Sequence, residues 1–418
     1  MRRLLLIRKI KKAVLIILVI ILILVVAERI YNKNAEFQTT AEDADYYGII
    51  DAKFTNKEKL KDFDSIYSIL EENYPYFRVN KRLHNIDWLD NISKYKRTIK
   101  NAENDADFLV AMNNILGELN DSNTQILTGD MYRRYYKHYY PERQSILNYE
   151  RSLIRYNFDG TFDLDTNNDF IFHNGPVLET KILIEDEVAY MKVKAMSYYH
   201  IEEDYPKIKD FLGEVKDYDK LIIDIRGNKG GFDEYWENIL KLLANDVLSA
   251  EYYSFFKQNS KTTHDPFKVP SITTIKDLNE IVLDNLPEEI KTDFNFYKTN
   301  SVKISPERDI SFKGKVYLLV DKEVIASAEK LAAFSKDTGF ATLVGETTGG
   351  GMTFADVPIA YLPLGGYIIS YSRELVLNSD GTINMETKTT PHIVVEDTAP
   401  NEDFNKDKCI QAVIEDRN

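Results

Sequence analysis

Leu221-Ile222-Ile223-Asp224-Ile225-Arg226-Gly227-Asn228-Lys229-Gly230-Gly231 is the stretch from which the fold can be read. An apolar run of strand length leads into a turn carrying three glycines, the pattern of a strand buried on both faces. Glycines there let main-chain N–H groups approach a ligand closely, as an oxyanion hole or anion nest requires. The plainer reading of Asp224 and Arg226 is an ion pair that fixes the turn.

Working outward, short β-rich runs alternate with helical stretches after about residue 180: 188–194, 221–225, 316–320, 342–344 and 367–371. That alternation implies an α/β core. Before it, Leu60, Phe63, Ile66, Tyr67 and Leu70, then Phe108, Leu109, Met112, Ile115 and Leu116, recur at helical spacing. The first of these helices is expected to stop at Asn73-Tyr74-Pro75. The cluster Tyr132-Arg133-Arg134-Tyr135-Tyr136-Lys137 is expected to pack one face and solvate the other.

A second chemical segment runs from Val316 through Val320 and a tight turn into a helix that opens on Ala326-Ser327-Ala328-Glu329. It is followed by Leu343-Val344-Gly345-Glu346-Thr347-Thr348-Gly349-Gly350-Gly351. A hydroxyl at a helix N-terminus feels the helix dipole and unpaired amides, which suits a nucleophile whose attack creates an oxyanion. Serine at a helix start also serves simply as an N-cap.

These two segments, the later Thr389-Thr390-Pro391, and the helical-region motifs Glu71-Glu72-Asn73-Tyr74-Pro75-Tyr76-Phe77 and Leu116-Gly117-Glu118-Leu119-Asn120-Asp121-Ser122 occur in an order that resembles the tail-specific (C-terminal-processing) serine peptidase family. The resemblance covers about residues 56–398. It implies an α/β fold with a ClpP/crotonase-like spiral core and an N-terminal helical domain. Residues 128–180 are too few for the PDZ domain of many members, so the chain resembles a PDZ-less branch.

The family has two catalytic arrangements. In the Ser-Lys arrangement the base lysine falls on Gly351 here, so that dyad is absent. In the tricorn-like arrangement the resemblance places the supporting serine at Ser122, the supporting glutamate at Glu386, the base at Asn123 and the nucleophile at Ala326, three residues before Glu329. A neutral amide cannot accept a proton near pH 7. Ser327 is one residue past the nucleophile position, a rotation of about 100° on a helix. Three readings follow: an impaired serine peptidase with Ser327 as nucleophile and a base from elsewhere, His392 being the histidine near a motif; a pseudopeptidase that binds peptide segments through Gly230, Gly231 and Ala328; and an anchored structural module with no ligand.

Composition excludes other classes. The 418 residues carry a net charge of −14, and the basic Arg2, Arg3, Arg8, Lys9, Lys11 and Lys12 crowd into the first twelve positions without an acid, so the remainder is more acidic still. Such a surface repels phosphate backbones, so no nucleic-acid partner is expected. The single cysteine, Cys409, cannot form a disulfide within the chain. The six histidines lack metal-ligand spacing, and neither metal nor cofactor is expected. Residues 13–27 are wholly apolar, and Ile30 and Tyr31 extend the run past Glu28-Arg29. With basic residues before it and no small-x-small cleavage site after it, the segment reads as an uncleaved single-pass transmembrane helix in the cell membrane, with the rest extracytoplasmic. The expected organisation is a cytoplasmic tail (1–12), the transmembrane anchor (13–31), a linker (32–55), a helical domain (56–128), a connecting segment (129–180) and a peptidase-like core (181–418). The expected partners are a polypeptide substrate or peptide ligand, and the membrane through that helix.

Overall fold

The structure, a computed structural model, describes residues 55–139, 144–147, 149–158, 175–258, 272–275, 285–310 and 312–417. Helix α1 (Asn56–Asn73) opens with a capping box: Thr55 Oγ1 accepts from Glu58 N at 3.3 Å, and Glu58 Oε2 accepts from Thr55 N at 2.9 Å. It stops before Tyr74-Pro75, as expected. Helices α2 (Phe77–His84), α3 (Ile92–Asn101) and α4 (Asp105–Gly117) follow, then the short strand β1 (Gln125–Ile126). Helices α5 (Gly129–Tyr139), α6 (Gln144–Leu147) and α7 (Glu150–Arg155) lie between β1 and the core. On α5, Tyr132 and Tyr136 are buried while Arg133 reaches solvent, the two-faced packing expected of that cluster.

Strand β2 (Leu178–Ile184), strand β3 (Val188–Val193), helix α8 (Ile201–Glu214), strand β4 (Lys220–Asp224) and helix α9 (Asp233–Leu243) begin the α/β region. Next come β5 (Leu248–Phe256), β6 (Thr273–Thr274), α10 (Glu289–Asp293) and β7 (Phe296–Ile304). Strand β8 (Lys315–Val320), helix α11 (Ala326–Asp337) and strand β9 (Thr342–Gly345) carry the second chemical segment. The chain closes with β10 (Ile359–Tyr361), β11 (Ile368–Ser370), β12 (Glu374–Leu377), α12 (Asn384–Thr387), β13 (Ile393–Val394) and α13 (Lys408–Glu415).

The central sheet has the order β13-β9-β8-β4-β3-β2, parallel except for the β2–β3 pair. Its inner strands are apolar through their middles because both faces are covered, and the period of two divides their side chains. Leu221, Ile223, Leu318, Val320 and Leu343 join the core under α8, α9 and α11, whereas Ile222, Tyr317, Leu319 and Val344 pack against Cys409, Ile410 and Val413 of α13. Two smaller sheets, β12-β5-β7-β6 and β1-β11-β10, share a third core with α1, α3 and α4.

Arg226 ties the two ends of this region together. Its guanidinium is buried against both oxygens of Asp224 and both of Asp407, at 2.7–3.0 Å, and donates to Thr398 O at 2.9 Å. The expected Asp224–Arg226 pair is therefore present, with a third member 181 residues away.

The expected fold class is mixed α/β as read, but its transmembrane helix is corrected: among the described residues no helix is long and apolar enough to cross a membrane. The segment expected to span, residues 13–31, lies outside the described residues. Arg226→Met leaves two buried carboxylates without their cation, and a loss of about 3–5 kcal/mol is expected; urea unfolding monitored by far-UV circular dichroism measures it.

Candidate active-site cleft

Strands β4, β8 and β9 are parallel neighbours, with Asp224 beside Leu319 and Val320 beside Gly345. The turns that leave their C-terminal ends must therefore meet, the usual place for a site in a parallel sheet. Ile325 N donates to Asn228 O at 3.3 Å, Glu346 N to Val320 O at 3.1 Å, Gly349 N to Val324 O at 2.8 Å and Ala326 N to Gly350 O at 3.3 Å. The two glycine-rich motifs of the sequence are thus stitched to the start of α11.

Two glycines are required here, one by this meeting and one by the segment after β3. A methyl group at Gly230 would lie 2.8 Å from Ser327 N and 2.9 Å from the Ala326 methyl, and one at Gly231 would overlap Met196 O. Both have positive φ, 89° and 135°. Ala326 itself has φ 55°, a left-handed conformation that an L-residue adopts only under constraint.

That elbow leaves donors unused. In the first turn of α11, Ala328 N and Glu329 N donate to Ile325 O and Ala326 N is taken by Gly350 O, while Ser327 N has no acceptor among the described residues. Across the contact, Gly230 N donates to Asn228 Oδ1 at 2.9 Å, and Gly231 N likewise has no acceptor among the described residues. Of the three residues expected to offer amides, Gly231 remains available, Gly230 and Ala328 are engaged, and Ser327 N is the donor the sequence reading missed. The signal was its place immediately after the nucleophile position.

The Ser327 side chain does not face this pair as a free hydroxyl. Buried to 3% exposure, Oγ donates to Asp233 Oδ1 at 2.6 Å, and Asp233 Oδ2 pairs with the Lys330 ammonium. Asp233, in the first turn of α9, also accepts from Trp236 Nε1 at 3.3 Å. Its place three residues after Gly230 could have flagged it, yet nothing in the sequence showed which way Ser327 points.

Ser122 is exposed and Asn123 half-buried, on a loop fixed by Asp121, which accepts from Asn123 N at 3.1 Å and Thr124 Oγ1 at 2.6 Å. Burial pushes the Asp121 carboxyl up. Glu386 lines a cavity of about 440 Å3 with Leu119, Asn120, Thr347 and Gly349, so the loop before Ser122, the glycine turn and α12 border one cleft. Its carboxylate is held bidentately by Arg82, at 2.9 Å from Nε and 2.6 Å from NH2. His392 is occupied by the sheet: Nδ1 accepts from Leu343 N at 2.9 Å, and burial lowers its basicity.

Behind Ala326, Glu329 is fully buried. Oε1 accepts from Asn384 Nδ2 at 2.8 Å and from Thr389 Oγ1 at 2.7 Å, and burial raises the carboxyl pKa to about 6.

The family model for peptidase family S41 matches residues 187–395, half of the chain, and the protein belongs to that family of hydrolases. Among solved structures, a candidate peptidase from Parabacteroides merdae superposes with a TM-score of 0.55 at 18% identity, covering 86% of this chain and 96% of its own. Mature CPAF complexed with lactacystin gives 0.52 at 13% identity, covering 81% and 94%. At these identities the likeness is one of fold. No curated relative matches the chain in sequence.

The buried Glu329 has a pH signature. Its folded pKa lies above the ordinary 4.5, so the folded state holds the proton longer than the unfolded one; stability is full below about pH 4.5 and falls as pH rises through about 6. Glu329→Gln is expected to remove that fall, gaining about 2 kcal/mol on the parent between pH 4 and pH 7.5; urea unfolding of both proteins across that range measures it. Ala326→Gly relieves about 1–2 kcal/mol of left-handed strain and loses about 0.5–1 kcal/mol to backbone entropy. Unchanged stability or a gain of up to about 1.5 kcal/mol is expected in thermal unfolding.

Proposed function

We propose that the protein is an S41 family member that binds polypeptide segments in this cleft, with peptide-bond hydrolysis strongly impaired. The observation that carries the reading is the pairing of Ala326 at the elbow with a Ser327 hydroxyl bonded to Asp233. Two backbone donors accompany a residue that has no nucleophilic atom. A carbonyl or carboxylate oxygen is the group such donors accept, whether or not a bond is subsequently broken.

Asn123 supports the same reading, because its amide has no proton affinity near neutral pH and cannot act as a general base. Nucleophile and base act as a unit, so loss of both leaves only what binding and the oxyanion donors contribute, about 10^3–10^4-fold over water. Ser327 with Asp233 and Lys330 is the alternative machinery. Against it stands the 2.6 Å bond that turns the hydroxyl toward a carboxylate, a group normally too weak a base to activate serine.

The test is digestion of an unfolded polypeptide by the full-length protein, Ser327→Ala, and the double variant Ala326→Ser with Asn123→His, followed by mass spectrometry. No cleavage by the first two is expected, with slow cleavage appearing in the double variant. Cleavage by the parent that vanishes in Ser327→Ala would sink the impaired reading and make Ser327 the nucleophile.

A further inference from the structure

The sheet that carries the elbow ends on a strand with one side open. β2 is the last strand in the order β13-β9-β8-β4-β3-β2, and among the described residues no strand pairs along its outer edge. It reads Leu178-Glu179-Thr180-Lys181-Ile182-Leu183-Ile184, with Thr180, Lys181 and Ile182 exposed. Such an edge offers main-chain donors and acceptors to another strand, and proteins usually blunt it with brevity, proline or a central lysine. Lys181 is such a lysine, and alone it would keep a second strand away.

The ladder fixes which groups face outward. Lys194 N donates to Val177 O at 2.8 Å, so residue 177, and by alternation 179 and 181, exchange their hydrogen bonds with β3. The N–H and C=O groups of Leu178, Thr180 and Ile182 therefore point to the open side. Side chains alternate too: Leu178, Thr180 and Ile182 share the face on which Leu178 packs against the main core, and Glu179 and Lys181 share the other. There Lys181 Nζ lies 2.5 Å from Glu179 Oε1, and both side chains reach solvent.

Glu179 and Lys181 flank Thr180, and that order decides what fits. A second copy of β2 laid antiparallel, with the two-fold axis at Thr180, brings outward-facing residues together. Thr180 meets the partner's Thr180, and Leu178 meets the partner's Ile182, a side chain 43% exposed in the single chain. Glu179 then stands opposite the partner's Lys181 in the pairs that lack hydrogen bonds, where side chains come closest. An axis at Glu179 or Lys181 would instead set like charges face to face. An axis at Leu178 would set Pro176, which has no N–H, against Thr180. Beyond Ile182 a bulge between Ile182 and Ile184 ends the regular edge.

We propose that β2 is a self-association edge, at which two copies of this chain pair antiparallel about Thr180 and join their sheets, with reciprocal Glu179–Lys181 ion pairs across the axis. The contact is isologous, and because each copy uses its own β2 edge, it closes at two subunits. It uses no residue of the cleft.

Sedimentation velocity of the full-length protein over a dilution series is expected to show a monomer converting to a species of twice its mass as concentration rises. Lys181→Glu sets glutamates against glutamates, and Glu179→Lys sets lysines against lysines. Each is expected to weaken association by about tenfold or more, and each to melt as the parent does. An equimolar mixture of the two variants pairs opposite charges again and is expected to associate as the parent does, as is the double variant Glu179→Lys with Lys181→Glu. A parent that stays monomeric at every concentration, a dimer that persists undiminished in the single variants, or a failure to recover in the mixture and in the double variant overturns the proposal.

Discussion

The guanidinium of Arg226 is the constraint on which the arrangement depends. It is fully buried, and such a charge is tolerable only when its donors are matched by acceptors of opposite charge. Asp224 supplies one carboxylate from the end of β4, Asp407 the other from the N-cap of α13, and the Thr398 carbonyl a further acceptor. The same Asp407 accepts from Cys409 N and Ile410 N, so one carboxylate both starts the last helix and closes the ion network. Tyr190 donates to Asp224 at 2.8 Å from β3. Strands β3 and β4, the Thr398 segment and the C-terminal helix are thereby held together, and the turn after Arg226 inherits its position.

From that register the site follows geometrically. Parallel strands of similar length end at the same edge of the sheet, and each must turn there. With β4, β8 and β9 adjacent, their three turns compete for one small space; glycine at 230 lets the β4 turn touch Ala326 and Ser327, and glycine at 231 lets it pass Met196, after β3. The resulting contact holds Ala326 in a left-handed conformation and leaves Ser327 N and Gly231 N without acceptors among the described residues. Strain and unpaired donors thus arise together, from crowding at one sheet edge.

Much of this was legible because it is local. The helical spacing of Phe63, Ile66 and Leu70, the stop at Pro75, and the apolar runs of β4, β8 and β9 each express a periodicity or a breaker that acts over a few residues. The family resemblance, counted three residues back from Glu329, had put the nucleophile position on Ala326, the residue that has φ 55°. What the sequence could not display were contacts between distant residues: Ser327 with Asp233 across 94 positions, and Arg82 with Glu386 across 304. Each redirects a group that a linear reading had left available. The fate of the Ala328 amide was hidden differently, because it depends on which residue begins the helix, a boundary that shifts by one or two positions without any change of pattern.

A pocket built from side chains loses its chemistry when those side chains change, but an anion-accepting elbow built from peptide units does not. The donors here belong to the Gly230–Gly231 and Ala326–Ser327 peptide bonds, and their placement is set by the Ala326–Gly350 and Gly349–Val324 hydrogen bonds, none of which involves a hydroxyl at position 326. Replacing a nucleophile by alanine at such a position removes the bond-breaking atom and leaves the oxygen-binding geometry in place. The strain at Ala326 is therefore not evidence of surviving catalysis. It is the backbone consequence of three turns meeting, and it would persist with any residue there that carries a Cβ. On the proposed reading, binding and hydrolysis are separable because they reside in different parts of the same few residues.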